Sequence, residues 1–257
     1  MTSVYVEDQD LAIAWGRALE AATQPVVRDL LPLVVSITGF STAGDVTEDP
    51  TIRASLDRAL RLQGKQSIET VANTIFPRSL WNPTAPRSQL FSRYRAILPK
   101  LHRASPKNRH GLYFERMLSG GPPGSENQLD FAISAYTARR HVRRSILQVS
   151  IFQPNRDHSK AAMRGFPCLQ HITFAPASDG LSLNAFYATQ YLVERAYGNY
   201  LGLCRLGQFV AHELDTKLIR VTCFTGIAEL ATPKAAVANV LGDVRSVIQA
   251  RQRGQAP

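Results

Sequence analysis

The sequence predicts an α+β fold, a single domain in which a mixed β-sheet is flanked by helices. Helical and strand-like periodicities are mixed along the chain without a strict strand–helix–strand rhythm. At 257 residues, 44% hydrophobic and 19% charged, the chain has ordinary globular composition and can bury a sizeable core. The flexible connector Ser119–Asn127 is too short to demand a domain boundary, and no internal repeat interrupts the pattern.

The first predicted helix covers Asp8 to about Thr23, with Leu11, Ala14, Trp15, Ala18, Leu19 and Ala22 at helical spacing. Leu30–Phe40 is β-branched, ends near Gly39 and reads as a strand. Thr47 to Asp49 supply cap residues for a second helix whose stripe is Ile52, Leu56 and Leu60. Ser67–Pro77 reads as a third helix, stopped by Pro77. Ser79–Pro86 is a Pro-, Asn- and Thr-containing loop carrying Leu80 and Trp81, which either dock on the core or line a pocket. Basic helix and polar connector follow, then a helix from Gln128 with Leu129, Ile133 and Tyr136 on one face.

Strands dominate next: Ser145–Phe152, then Cys168–Pro176 and Leu181–Thr189, the last two joined by an Asp179–Gly180 turn as a hairpin. Tyr191–Leu214 is apolar almost all round and predicts a buried core helix. A fourth strand of this half begins at Lys217. A final helix runs from Pro233 to about Arg251, with a frayed tail over 252–257.

Composition narrows the function classes. No apolar run is long enough for a membrane span, and the acidic N-terminus lacks the pattern of a secretory signal, so a cytoplasmic protein is expected. Three cysteines without a C-x-x-C pair argue against a disulfide framework or a structural zinc site, and no metal is expected. A net charge of +10 points to an anionic partner or serves solubility alone; the bases concentrate in Arg93–His110 and Arg139–Arg144.

The order Pro167–Cys168, a strand ending at Phe174, a turn, a strand opening Leu181–Ser182 and a core helix bearing Asn199 resembles the thymidylate synthases and the related pyrimidine nucleotide hydroxymethylases. The Arg143–Arg144 pair before a strand, the helix from Gln128, the Tyr113 segment and the helix of Glu69 are similar to family elements, most specifically from Gln128 to Ala211.

The resemblance implies a thymidylate-synthase-like domain and a one-carbon transfer, methyl or hydroxymethyl, to carbon 5 of a pyrimidine nucleotide. Methylenetetrahydrofolate would be the donor, and the chain would form a homodimer. Cys168 would be the nucleophile that adds to carbon 6. Glu69 would organise acid–base steps and Tyr113 would orient water or protons. Asn199 would read the pyrimidine edge, Arg143 and Arg144 would reach a phosphate from the neighbouring subunit, and Thr189 and Gln190 would lie at the substrate. Trp81 and Tyr191 would meet the folate. The chain departs from the family at Ala188–Thr189, where the family has Arg-Ser, at Tyr191, which replaces a carboxylate, at Leu169, which replaces a His, and in lacking a His-x-Tyr near Gly226–Leu230. These departures imply altered recognition of sugar and phosphate.

Each residue also has an ordinary structural reading. Cys168 can be a buried strand thiol, as expected of Cys204 and Cys223. Glu69 can be a surface residue of its helix. Asn199 can be a helix cap. Arg143 and Arg144 can be a solvated helix end, and Tyr113 a core side chain. His171, three residues beyond Cys168, is expected on the opposite strand face. The competing function is a non-catalytic scaffold of the same fold that binds nucleic acid or another partner through its basic segments.

Overall fold

A computed structural model describes residues 2–25, 27, 29–138, 142–160 and 167–254, without the side chains of 107 and 109. In chain order the elements are β1 (Thr2–Asp8), α1 (Leu11–Ala22), β2 (Asp29–Ile37), α2 (Pro50–Leu62), α3 (Ile68–Ile75), α4 (Arg87–Ala104), α5 (Tyr113–Met117), α6 (Gln128–Thr137), β3 (Gln148–Ser150), α7 (Pro154–Asp157), β4 (Leu169–Ala177), β5 (Gly180–Tyr191), α8 (Tyr197–Glu213), β6 (Leu218–Glu229) and α9 (Ala238–Gly254).

Six strands form one mixed sheet in the order β1-β2-β6-β5-β4-β3. The pairs β1–β2 and β5–β6 are parallel, and the others are antiparallel. The predicted α+β class, with helices flanking a mixed sheet in a single domain, is the observed fold.

Local chemistry explains the boundaries. Asp10 caps α1 by accepting from the N–H groups of Ala12 and Ile13, and Asp49 caps α2 ahead of Pro50. Trp15 is fully buried and donates its indole N–H to the Leu192 carbonyl at 2.8 Å, so α1 is tied to the segment that opens the core helix.

Four expectations need correction. β1 is a strand that the reading from Asp8 onward passes over; it pairs in parallel with β2. The strand expected over Ser145–Phe152 shortens to β3, because a 3₁₀ turn occupies Arg144–Ile146 and the N–H groups of Ile151 and Phe152 both reach the Gln170 carbonyl. The core helix opens with a wide π-turn at Leu192–Ala196 before α8 proper. The tail expected to fray from 252 continues α9 to Gly254.

One face of the sheet holds the core. On β5, Leu181, Leu183, Ala185 and Tyr187 are buried while Asn184, Phe186 and Ala188 between them are exposed. The other face is open and mixed, with a polar row from Glu7 through Ser36, Thr222 and Asn184 to Thr173 beside an apolar one. A register row crosses it from Tyr5 through Val34 and Phe224 to Phe186, and the Phe186 and Phe224 rings stack at 5.4 Å. Among the described residues no helix is long and apolar enough to cross a membrane.

Candidate active site

A cavity of about 640 Å³ opens beside Cys168, where the approach to β4, the end of β5, the π-turn, the first turn of α8, α3 and the segment leading into α5 converge. That volume suits a small-molecule site. Cys168 is half-buried and lies just before β4. Its carbonyl accepts from the Ala188 N–H at 3.0 Å, and the Thr189 hydroxyl points at its sulfur at 3.6 Å. Cys204 and Cys223 are buried, and burial pushes the Cys223 thiol up to about 12, so both stay neutral and inert.

Tyr113, at the start of α5, lines the same cavity. Burial raises its phenol, with the nearby Cys168 adding to the effect, against the backbone N–H groups of Leu169 and Cys168 and the Arg195 guanidinium, which pull the other way. The phenol therefore stays protonated through the neutral range. Its segment is held by a buried ion pair, in which Arg116 grips Asp157 with both terminal nitrogens at 2.8 and 2.9 Å and also donates to the Ile151 and His110 carbonyls. The Gln128 amide clasps the carbonyls of Arg116, Ser119 and Ser150, fixing α6 to the same corner.

Asn199 stands in the first turn of α8 and makes no side-chain capping bond. No described residue hydrogen-bonds its amide, which belongs to the cavity lining. Gln190 is deeper: its Oε1 accepts from the hydroxyls of Tyr200 and Thr225, each at 3.2 Å, and its Nε2 is buried without a partner among the described residues. Thr189 and Tyr191 complete the β5 contribution.

The structure thus gathers Cys168, Tyr113, Thr189, Gln190, Tyr191 and Asn199 around one space. Four other expected residues stand apart from this chain's cavity. α3 turns Val71 and Thr74 to it. Glu69 lies on another side of α3, bound bidentately by Arg205 at 2.6 and 2.9 Å and by Arg53. The Arg205 hydrogen bonds outweigh partial burial and hold the Glu69 carboxyl below its ordinary range. Trp81 docks on the core instead, edge-on to Phe76 and Phe209. Arg143 and Arg144 are exposed before β3, and Arg144 reaches the Pro176 carbonyl. His171 bonds Gln148 at 2.7 Å and stands outside the cavity lining.

The sequence reading missed Arg195, His110, Asn108 and Gln66, which also line the cavity. Arg195 was legible in principle, since it precedes Asn199 by four residues, one helical turn. The basic segment Arg139–Arg144 lies partly outside the described residues, as do residues 161–166 before Pro167. Among the described residues no carboxylate lines the cavity and no group of His, Cys, Asp or Glu could hold a metal ion.

The folate that the resemblance implies needs a flat aromatic face and polar donors. Tyr191, 47% exposed at the cavity, offers the face, and the Gln190 Nε2, without a partner among the described residues, fits a polar heterocycle; Trp81 does not line the cavity.

No family model and no curated protein matches the sequence. In three dimensions the chain is similar to the thermostable thymidylate synthase A of Bacillus subtilis, with a TM-score of 0.52 and 11% identity over 92% of this chain and 84% of that one. The fold is therefore thymidylate-synthase-like.

Proposed function

We propose that the chain is a one-carbon transferase that modifies carbon 5 of a pyrimidine nucleotide, with Cys168 as the nucleophile. The carrying observation is a single cavity that collects a half-buried thiol, a protonated phenol, the amides of Gln66, Asn108, Gln190 and Asn199, and the guanidinium of Arg195 beside that of the paired Arg116. In this reading the Cys168 thiolate adds to carbon 6, and the ring electrons move toward carbon 5 and the carbon 4 oxygen. The Thr189 hydroxyl, 3.6 Å from the sulfur, orients it. Asn199, without a partner among the described residues, reads the ring edge by donating to one atom and accepting from another. Tyr113 donates a hydrogen bond near the reacting carbons.

Methylenetetrahydrofolate, held against Tyr191, would supply the one-carbon unit. Glu69 does not line the cavity, so the acid–base role expected of it falls to the groups that do, Tyr113 among them. The open sheet face, with the exposed stacked rings of Phe186 and Phe224, supports a homodimer, in which Arg143 and Arg144 would reach the neighbouring subunit's site.

Release of tritium from carbon 5 of UMP, dUMP, CMP or dCMP tests the reading. Release that disappears in Cys168→Ser is expected; no release from any of the four would refute it.

The missing carboxylate favours a second reading, a scaffold that binds without catalysis. Nucleic-acid affinity that falls steeply with salt, in a protein that releases no tritium, would establish it.

A further inference from the structure

Among the described residues two arginines line the cavity, and their surroundings differ. Arg116 is 1% exposed and neutralised by Asp157. Arg195 makes no ion pair among the described residues: its guanidinium bonds the neutral Gln66 Oε1. Its chain neighbour Glu194 is already held by Lys65 at 2.7 Å. With no carboxylate among the described lining residues, the Arg195 charge is uncompensated where it meets the cavity.

Its placement is specific. Arg195 sits in the π-turn Leu192–Ala196, four residues before Asn199, so the two side chains rise from the same side of the helix opening. Its charge is felt at the Tyr113 phenol, which in turn is coupled to Cys168. On the strand entering this turn, position 188 is an exposed alanine and offers no charge.

We propose that Arg195 anchors the substrate by gripping its oxyanion, the phosphate monoester of a nucleotide, from the turn that opens the core helix. A guanidinium presents paired N–H donors that match two phosphate oxygens, and Gln66 holds one amino group while leaving donors for the ligand. The identity of the anion rests on the nucleotide reading of the cavity; the demand for an oxyanion follows from the uncompensated charge.

The test is protection of Cys168 against iodoacetamide, a neutral reagent, in the full chain, read by peptide mass. Protectants are inorganic phosphate, glutarate, the four monophosphates UMP, dUMP, CMP and dCMP, and their nucleosides. In the wild type the best monophosphate should protect at concentrations about 10- to 100-fold lower than its nucleoside. Phosphate should compete with it, and protection should weaken with added salt. In R195Q the monophosphate should lose that advantage while the nucleoside is unaffected. An unchanged advantage in R195Q, or no advantage in the wild type, overturns the proposal; glutarate matching the monophosphates overturns the phosphate assignment. Should R195Q fail to fold, R195K keeps the charge without the planar fork. Weaker monophosphate protection is then expected, and wild-type protection overturns the proposal.

The two readings fail separately. Tritium release by R195Q at the wild-type KM leaves the transferase standing without its anchor. Anion selectivity that depends on Arg195, in a wild type that releases no tritium, leaves the anchor standing without the transferase.

Discussion

At the scale of single residues, Cys168 differs from Cys204 and Cys223 by environment alone: one thiol meets the cavity and two are sealed in the core. Cys168→Ser should abolish carbon 5 tritium release and shift stability by less than about 1 kcal/mol in a urea titration, since the site is half-exposed. Glu69→Gln separates the structural from the chemical reading of that acid. Its partners are Arg205 and Arg53 and its side chain is 47% exposed, so activity should be unchanged and stability lowered by at most about 1 kcal/mol. Loss of tritium release in this variant would return Glu69 to the chemistry. Cys168 and Asn199 stood out in the sequence through their order around the hairpin and line the cavity, whereas Glu69 does not line it. A helix reveals its apolar stripe, but not which of two polar neighbours faces a cavity built by elements remote in sequence.

Among elements, the meeting of α3 and α8 sets the shape of the site. A Cβ at Gly198 would come within 2.6 Å of Val71 Cβ, and one at Gly202 within 2.7 Å of the Ala72 carbonyl oxygen. Glycine therefore allows the close approach that carries Val71 and Asn199 to the same cavity. Gly202→Ala should cost about 1–3 kcal/mol by overpacking. It should also raise the substrate KM, measured beside a urea titration; wild-type stability and KM would mean the helices have slack. The helices were legible because caps and apolar spacing are local signals. β1 and the shortened β3 were less so, because a short strand is defined by its neighbours and those pairings are remote. The π-turn had no visible signal, since Leu192, Val193 and Ala196 lead straight into the apolar residues of the helix.

For the whole molecule, the buried Arg116–Asp157 pair bears on stability and the open sheet face on the proposed dimer. Burial raises the Asp157 carboxyl, but the Arg116 hydrogen bonds and the Gln153 N–H outweigh it and hold it low. A carboxyl lowered in the folded state stabilises fully above its unfolded value of about 4 and loses that contribution as pH falls through the folded value. The melting temperature should therefore drop on acidification below about pH 4. Asp157→Asn, which leaves Arg116 buried without its counter-charge, should cost about 3–5 kcal/mol at neutral pH; a neutral-pH stability equal to wild type would contradict this role for the pair. The stacked Phe186 and Phe224 lie at the centre of the uncovered face, and Phe186→Glu with Phe224→Glu should convert a dimer to a monomer in sedimentation equilibrium. A wild type that is already monomeric would remove the dimer from the account. The central claim is a covalent bond between Cys168 and carbon 6 of a pyrimidine. A 5-fluoropyrimidine monophosphate has no carbon 5 proton to lose, so after one-carbon transfer the enzyme should remain bonded to it. Intact mass with the 5-fluoro analogues of the four monophosphates and methylenetetrahydrofolate should show an adduct that maps to Cys168 and is absent in Cys168→Ser. No adduct with any analogue, while iodoacetamide still alkylates Cys168, would contradict the account.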